Sequence, residues 1–467
     1  MRAVLFAPET PDAFSGSCRS QPSILLLTLD RPFLQHIIES LAELGIHRIE
    51  LVVSDRPDAV EQFVGDGTRW GIEIGLHLVR DPHRPYGALR RLGLGSDEVF
   101  LLGHADRAHR CTLPAPEEEL PSYHLDDEKQ SWTGWAWLSA NDAAQIKGSF
   151  DFEALASLLD DHRMETVSTL LSVQTPAAYL AAQRSLLDGH CSMALRSGRE
   201  LEAGVWLSRN VTLGRDVILT APVFIGPDTR IGAGARIGPH VVIGEGCVIE
   251  GGTQFEDAVV LGGTFVGEGL ELRNAIARHT HIYNVEIGDG SEITDPFILS
   301  AVRGTSSKQR LSRLAGRMLG LALLAPGLSA AALARWRKRT ENTVWKVGNG
   351  RGGSKELHTW LGSAQPSSGM AHFFEHVLPS MPLVAAGGLD LVGLDPRSPE
   401  EVEQMSPEWK EVYLSRRPGV ISEAQVQFGD SASDPERFAA EAYYAACATS
   451  AHDFRLLGRY LRRLVKR

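Results

Sequence analysis

The sequence predicts three consecutive parts: an α/β part with a Rossmann-like sheet, a left-handed parallel β-helix, and a mixed α/β part with a re-entrant membrane helix. Three observations support this prediction. Strand-like and helix-like segments alternate in the first part, an aliphatic residue recurs every six positions in the second, and an uncharged run broken by proline opens the third. We place the boundaries at residues 1–195, 196–303 and 304–467.

Composition limits the classes of partner. The chain of 467 residues is long enough for several cores, and its net charge of -11 argues against a nucleic-acid partner. Basic residues concentrate late, at 335–339 and 455–467, which favours contact with an anionic membrane surface, although a solvated basic face is the alternative. The five cysteines are far apart and form no C-x-x-C pair, so the sequence indicates a reducing cytoplasm without a zinc site.

The first part is predicted to be a parallel sheet covered by helices. MRAVLFA is a buried strand, residues 31–44 have helical spacing, and IELVVS is the next strand. A helix over 58–64, the strand GIEIGLHLV, the helix YGALRRLG and the strand EVFLLG continue the alternation. Such alternation is typical of parallel sheets with helical crossovers.

The second part carries a hexad repeat. A large aliphatic points to the axis of the coil in each hexad, glycine often follows it at the turn, and three hexads close one triangular turn. The phase slips after Phe265 and is expected to return at Ile287, Ile293 and Leu299. The repeating residues are Leu207, Leu213, Leu219, Ile225, Ile231, Ile237, Ile243, Ile249, Phe255 and Leu261.

Two roles are open for this coil. Coils of this kind are often acyltransferases that use a loop histidine as general base, and His240, His279 and His281 are available. The alternative is a rigid spacer or an oligomerisation face, which would make the protein a homo-oligomer through the β-helix.

Several segments of the first part, in order, resemble sugar-1-phosphate nucleotidyltransferases such as the mannose-1-phosphate guanylyltransferases. They are RPFLQHIIESLAELGIHRIELVV, FVGDGTRWGIEIGLHLVRDP, YGALRRL and EVFLLGHAD. The resemblance implies a nucleotide-sugar partner and Mg²⁺, with Asp106 as the first metal ligand. The family's glycine-rich loop is replaced by APETPDAFSGSCRS, and the stretch with its second aspartate reads SVQTP at 172–176. One carboxylate alone holds Mg²⁺ poorly, so a surface aspartate at a strand end is the alternative for Asp106.

The third part opens with an uncharged run at 318–334, broken by Pro326 and Gly327 and flanked by basic residues. About 17 residues are borderline for a membrane span. A broken apolar helix with flanking cations suits a re-entrant hairpin in one leaflet, and a buried core helix is the alternative.

This part resembles the bacterial sugar transferases, the monotopic phosphoglycosyl transferases. The motif R-P-G-[IV]-[TS]-G-x-A-Q-V stands here as RPGVISEAQV at 417–426. The resemblance implies substrate binding by Arg417 and Gln425, nucleotide sugar and polyprenyl phosphate as partners, and a monotopic or peripheral location at the cytoplasmic face of the inner membrane.

The catalytic residues of that family are replaced. Its D-E-L-P-Q motif, in which the aspartate attacks phosphorus with the help of Mg²⁺, reads HVLPS at 376–380. His376 is the candidate nucleophile that remains. Three functions stay open: a transferase of surface-polysaccharide or glycolipid assembly, a catalytically inactive scaffold or regulator of the same pathway, and a β-helix acyltransferase.

Overall fold

A computed structural model describes most of the chain, and the following account concerns the described residues. These are 1–9, 21–79, 81–82, 84–95, 98–109, 122–126, 132–146, 151–159, 163–167, 170–189, 198–302, 310–336, 343–348, 354–359, 373–405, 407–429 and 433–465. Most of the stretch aligned with the glycine-rich loop lies outside them, as do the side chains of the basic cluster at 335–339.

The first part is an α/β unit, as the alternation predicts, but its seven-stranded sheet is mixed and not purely parallel as expected. The strands of this part, seven of which form the sheet, are β1 (Arg2–Ala7), β2 (Leu27–Thr28), β3 (Arg31–Pro32), β4 (Arg48–Val53), β5 (Glu73–Leu78), β6 (Val99–His104), β7 (Arg107–His109), β8 (Ser122–Asp126), β9 (Trp132–Ser139), β10 (Arg163–Val167) and β11 (Leu170–Ser172). The sheet order is β10-β8-β9-β6-β1-β4-β5. All six residues of β1 are buried, and this strand pairs in parallel with β4 and β6, so it lies at the centre of the sheet.

Helices cover this sheet. They are α1 (Phe33–Glu43), α2 (Pro57–Val64), α3 (Ala140–Gln145), α4 (Phe152–Leu159) and α5 (Pro176–Leu187). The segment predicted as the helix YGALRRLG forms a 3-10 helix at Pro85–Arg91 instead, and Arg90 and Arg91 lie in its last turn. Proline at the first position suits either helix type, so the sequence did not distinguish them.

The second part is a coil of short strands, and each strand pairs in parallel with the strand one turn later. Val205 pairs with Val223 and Val223 with Val241, so one turn holds eighteen residues, or three hexads. The strands are β12 (Arg199–Glu202), β13 (Val205–Leu207), β14 (Thr212–Leu213), β15 (Ile218–Leu219), β16 (Val223–Ile225), β17 (Arg230–Ile231), β18 (Arg236–Ile237), β19 (Val241–Ile243), β20 (Val248–Ile249), β21 (Gln254–Val260), β22 (Thr264–Val266), β23 (Glu271–Arg278), β24 (His281–Asn284), β25 (Asp289–Glu292) and β26 (Leu299–Ala301).

The repeat changes earlier than predicted. Ile237 still pairs with Phe255 eighteen residues later, whereas Ile243 pairs with Val260 seventeen residues later. The interior of the coil therefore receives Val260, and Leu261, which the hexad count placed there, packs with the core of the first part. A turn one residue shorter reverses which neighbouring side chain faces inward.

The predicted return of the hexads is wrong at Ile287, whose side chain is 77% exposed. The coil ends at β23, and β24 and β25 follow it as antiparallel strands. Leu299 does enter the interior, but its strand β26 runs antiparallel to β22.

The first part packs on one face of the coil. In the three-residue strands β16 and β19 the outer residues face the coil interior, and the middle residue faces the first part and joins its core. Two ion pairs border this apolar contact: Arg184 Nε lies 2.6 Å from Asp257 Oδ1, and His240 Nε2 lies 3.0 Å from Asp188 Oδ1. The apolar coil residues at this interface include Phe224, Val242, Val259 and Ile276.

The third part packs on the coil through a small aromatic cluster. Phe297 lies between Tyr443 and Phe428, with ring centroids 5.2 and 5.6 Å away, and Cys447 packs beside Phe265. Its elements are α6 (Arg310–Ala322), α7 (Leu324–Trp336), β27 (Thr343–Gly348), β28 (Ser354–Thr359), a π-helical turn (Phe373–Val377), α8 (Leu378–Ala385), β29 (Asp390–Val392), α9 (Pro399–Gln404), α10 (Pro407–Ser415), β30 (Gly419–Ile421), α11 (Glu423–Gln427), α12 (Asp434–Cys447) and α13 (Ser450–Val465).

The uncharged run forms the end of α6 and most of α7. Within the described residues no single helix is long and apolar enough to cross a membrane, but 311–322 and 324–333 pass that test as a pair bent by 65°. The bend lies at Leu323 rather than at the predicted Pro326, because Pro326 occupies the first turn of α7, where a missing N–H costs no helical hydrogen bond.

Two glycines bring this helix pair close to α8. A methyl group added at Gly320 would lie 2.9 Å from Ala385 N, and one at Gly327 would lie 2.9 Å from Leu378 O. The close approach of the backbones turns the large apolar side chains outward. Those at least 48% exposed are Leu311, Leu314, Met318, Leu321, Leu328 and Leu333.

Candidate functional site

Asp106 lies at the end of β6, where the first metal ligand was predicted. It is 2% exposed, so it is not the surface aspartate that the sequence left as the alternative. Burial raises the pKa of its carboxyl, and Arg107 and a hydrogen bond with the side chain of Gln174 oppose that rise. Gln174 belongs to the SVQTP stretch, so the structure brings together the two segments that carry the metal ligands in the resembling family.

The residues around Asp106 do not fit a magnesium ion. Arg107 Nε lies 3.4 Å from Asp106 Oδ1, and the side chain that hydrogen-bonds Asp106 is the amide of Gln174 rather than a second carboxylate. Among the described residues no group of three or more histidine, cysteine, aspartate or glutamate side chains could hold a metal ion. We therefore derive no reaction step through Mg²⁺ at this position.

The third part contains a cavity of 150 Å³ between α6, β29 and α13, and most of its wall is apolar. Two buried carboxylates, Asp390 and Asp453, lie in its wall. Arg313 Nε lies 3.1 Å from Asp390 Oδ2, and Tyr444 donates a hydrogen bond of 2.8 Å to Asp453 Oδ1. We name this cavity with its two carboxylates the Asp390–Asp453 pocket.

Burial raises the pKa of both carboxylates in this pocket. At Asp390 the nearby guanidinium groups of Arg313 and Arg417 oppose that rise. At Asp453 hydrogen bonds from Ser312 and Tyr444 oppose it, whereas the charge of Asp390 adds to it. A raised pKa favours the protonated form of a carboxyl group, and a general acid must carry such a proton.

Arg417 and Gln425, the predicted substrate-binding residues, lie on different sides of this region. Arg417 Nη1 lies 3.7 Å from Asp390 Oδ1, beside the pocket. Gln425 lies on α11, where its backbone N–H donates to Ser422 Oγ and its carbonyl accepts a hydrogen bond from Arg463. The described contacts thus place Arg417 beside Asp390, whereas neither Arg417 nor Gln425 lines the pocket itself.

The glycine of the R-P-G motif has a packing role. A methyl group at Gly419 would lie 2.1 Å from the backbone nitrogen of Gly393, in the neighbouring strand region. Both glycines are therefore required for the close approach of β29 and β30, which positions Asp390 against Arg417.

His376 lies in the π-helical turn before α8. Its carbonyl accepts a hydrogen bond of 2.6 Å from Ser380 Oγ, and its side chain is half-buried. It does not line the Asp390–Asp453 pocket. Of the coil histidines, His240 is engaged with Asp188 and Asp257 at the interface with the first part.

Sequence reasoning did not find the two carboxylates as a pair. Asp390 and Asp453 stand in segments that the family resemblance covers, but neither matches a catalytic position of that family. The sequence contains one signal that indicates a buried acidic residue. Helix α6 is basic, and its Arg313 needs an acidic partner when the helix packs on β29.

A family model described as the GMPPB C-terminal domain matches residues 219–302, which cover most of the coil and the strands that follow it. No curated protein matches the chain. A solved structure of the inositol-1-phosphate CTP transferase from T. maritima is similar with a TM-score of 0.31 and 14% identity, over 38% of this chain and 90% of that chain.

A second solved structure is also similar to part of the chain. It is assigned as a glucose-1-phosphate thymidylyltransferase from Bacillus anthracis, in complex with a sucrose, with a TM-score of 0.33 and 11% identity, over 39% of this chain and 94% of that chain. Scores this low carry no functional inference. The family match agrees with the nucleotidyltransferase resemblance of the sequence prediction, and it covers residues of the second part.

Proposed function

We propose that this protein works in surface-polysaccharide or glycolipid assembly at the cytoplasmic face of the inner membrane. In this proposal a nucleotidyltransferase-like part and a phosphoglycosyl-transferase-like part are joined by a left-handed β-helix. The third part docks on the membrane and binds nucleotide sugar and polyprenyl phosphate, and the first part transfers no nucleotidyl group.

One observation carries the membrane proposal: α6 has two chemically different faces. Ser312 and Arg313 line the Asp390–Asp453 pocket, whereas Leu314 and Leu321 of the same helix are 60% and 54% exposed. A bilayer that covers the leucine face would lie beside the arginine-lined pocket. This arrangement suits a ligand with an anionic head group and a hydrocarbon chain.

The proposal that the first part is inactive rests on Asp106. Its carboxylate is buried, faces Arg107 and contacts Gln174, and no contact with a second acidic ligand for Mg²⁺ is found in the part of the chain that the structure describes. Incubation of the full chain with nucleoside triphosphates, sugar-1-phosphates and Mg²⁺ should release no pyrophosphate above background. Release that depends on Asp106 would contradict this proposal.

The third part is tested with membranes that carry the full protein. Radiolabelled nucleotide sugar and polyprenyl phosphate are added, and retention on the protein is measured together with the lipid-linked product. We expect saturable retention without product. Retention should weaken about tenfold in Arg417→Gln, because a charge-assisted hydrogen bond to phosphate is lost. Absence of retention in the unmodified protein would contradict ligand binding.

A second candidate function is phosphoglycosyl transfer itself. It is favoured by the raised pKa values of Asp390 and Asp453, because a protonated carboxyl beside arginines can assist phosphoryl chemistry. Lipid-linked product that is lost in Asp390→Asn but kept in His376→Ala would support this candidate. Product lost in His376→Ala instead would favour histidine as the nucleophile.

Association through the coil stays a prediction. The coil already packs the first part on one face and the third part near Phe265, which leaves less surface for a second copy. No specific observation favours acyl transfer, since His240 takes part in the interface with the first part.

A further inference from the structure

A cleft of 670 Å³ lies where the three parts of the chain meet. The first part contributes the segment from Gln21 to Pro32, the coil contributes turns around Glu245 and Gly262, and α12 contributes Ala445 and Ala446. This volume lies within the range of about 300–1,000 Å³ that is usual for small-molecule sites. The cleft is separate from the Asp390–Asp453 pocket and from Asp106, neither of which lines it.

Two arginines give this cleft a positive inner wall. Arg278 ends β23, and its Nη2 donates a hydrogen bond of 3.0 Å to Gln21 Oε1. Its Nη1 is buried and has no hydrogen-bond partner among the described residues. Because a buried N–H without a partner is unfavourable, this group favours a ligand that accepts a hydrogen bond.

Arg416 lines the same cleft from the third part and is half-buried. Its Nε donates a hydrogen bond of 2.9 Å to the carbonyl of Ala445, which fixes the guanidinium at the wall. Burial lowers the pKa of Arg416, and the nearby charge of Arg313 lowers it further. A desolvated cation that is held in place binds an anion more strongly than a solvated one.

The outer wall has the opposite charge. Asp228 and Glu245 line the cleft and are exposed. Carboxylates accept hydrogen bonds from hydroxyl groups and repel further anions. Leu25, Leu27 and Leu261 supply an apolar wall.

We infer that this cleft binds a phosphate ester of a polyhydroxylated molecule, such as a hexose phosphate or a nucleoside diphosphate. The phosphate would contact Arg278 and Arg416, and the hydroxyl groups would contact Asp228 and Glu245. Since the lining comes from all three parts, the bound ligand would hold the parts together. The inference goes beyond the proposed function, because it concerns a cleft that takes no part in the transfer chemistry.

Calorimetric titration of the full-length protein tests this inference, with inorganic phosphate, a hexose 1-phosphate and a nucleoside diphosphate as separate probes. At least one ester should bind about tenfold more tightly than inorganic phosphate, because only the ester has hydroxyl groups for the outer wall. Arg278→Gln should weaken its binding about tenfold or more, and Arg278→Lys should restore part of the loss.

The matched control is Arg273→Gln, on the same strand, where the side chain is 62% exposed and lies outside the cleft. This control variant should bind the ester as tightly as the unmodified protein does. Hydrogen exchange tests the same inference in the unmodified protein. Bound ester should slow amide exchange both in α12 and at residues 21–32. Ester binding that is unchanged in Arg278→Gln, or no binding of any probe at millimolar concentration, overturns the inference.

This experiment is independent of the proposed function. Binding that persists in Arg417→Gln but is lost in Arg278→Gln assigns the ligand to the junction cleft. Binding lost in Arg417→Gln and kept in Arg278→Gln assigns it to the third part and overturns the inference.

Discussion

Two buried threonines in the coil should respond in opposite directions to the same substitution. Thr229 and Thr253 are both 0% exposed and occupy the same position of their hexads. Thr229 Oγ1 donates a hydrogen bond of 2.9 Å to the carbonyl of Gly244. Thr253 Oγ1 is buried without a hydrogen-bond partner among the described residues.

Valine replaces threonine with nearly the same volume, so the hydroxyl is the main difference. Thr229→Val should lower the local free energy of unfolding by about 1 kcal/mol, because a satisfied buried hydrogen bond is lost. Thr253→Val should raise it by about 1–2 kcal/mol, because the desolvation cost of an unsatisfied hydroxyl is removed.

Native-state hydrogen exchange on the full-length protein measures both effects locally. The reporter amides are Thr212 N–H, which is bonded to the carbonyl of Thr229, and Arg236 N–H, which is bonded to the carbonyl of Thr253. The free energy of opening should fall at the first amide in Thr229→Val and rise at the second in Thr253→Val. Changes of the same sign would refute the assignment of these hydroxyl groups.

Three further predictions concern the stability of the separate parts. Ile231→Asp puts a charge at a coil position that is 1% exposed and should lower stability by at least about 4 kcal/mol; an unchanged melting temperature in calorimetry would show that the register is wrong. Gly419→Ala should cost about 1–3 kcal/mol or more, measured by urea unfolding of the third part, because the new methyl group would lie 2.1 Å from Gly393 N. Burial tends to raise the pKa of Glu50, but hydrogen bonds from His77 and two arginines outweigh it and lower the pKa from 4.5 to about 2. A lowered carboxyl pKa stabilises the fold above about pH 4.5 and loses that effect as the pH falls towards 2, so Glu50→Gln should flatten the melting-temperature curve over this window.

The sequence predicted the regular elements well, because their signals are local. The buried strand β1 and the helix α1 follow from short apolar patterns, and the hexad spacing predicts the eighteen-residue turns. The shortened turn was not predictable in the same way. Val259, Val260 and Leu261 are all apolar, so the sequence alone does not show which of these side chains faces the interior of the coil.

The sequence contains one signal of the interface between the coil and the first part that the predictions above do not use. The middle residue of a short coil strand should face solvent, yet Phe224, Val242, Val259 and Ile276 are large and apolar. They mark the face on which the first part packs. By contrast, the Asp390–Asp453 pocket has no such signal, because its carboxylates meet only after α6 and α13 pack on β29.

The central claim, that the third part docks on a membrane through the outward face of α6 and α7, is tested most directly by flotation of the full-length protein with vesicles that contain anionic lipid. The unmodified protein should float with the vesicles. Leu314→Ser combined with Leu321→Ser should reduce the bound fraction about tenfold or more, since burial of each exposed leucine contributes about 1 kcal/mol or more. Leu201→Ser, at an apolar side chain that is 51% exposed on the coil, is the control and should float like the parent. An unmodified protein that stays at the bottom of the gradient, or a double variant that floats as well as the parent, would contradict the claim.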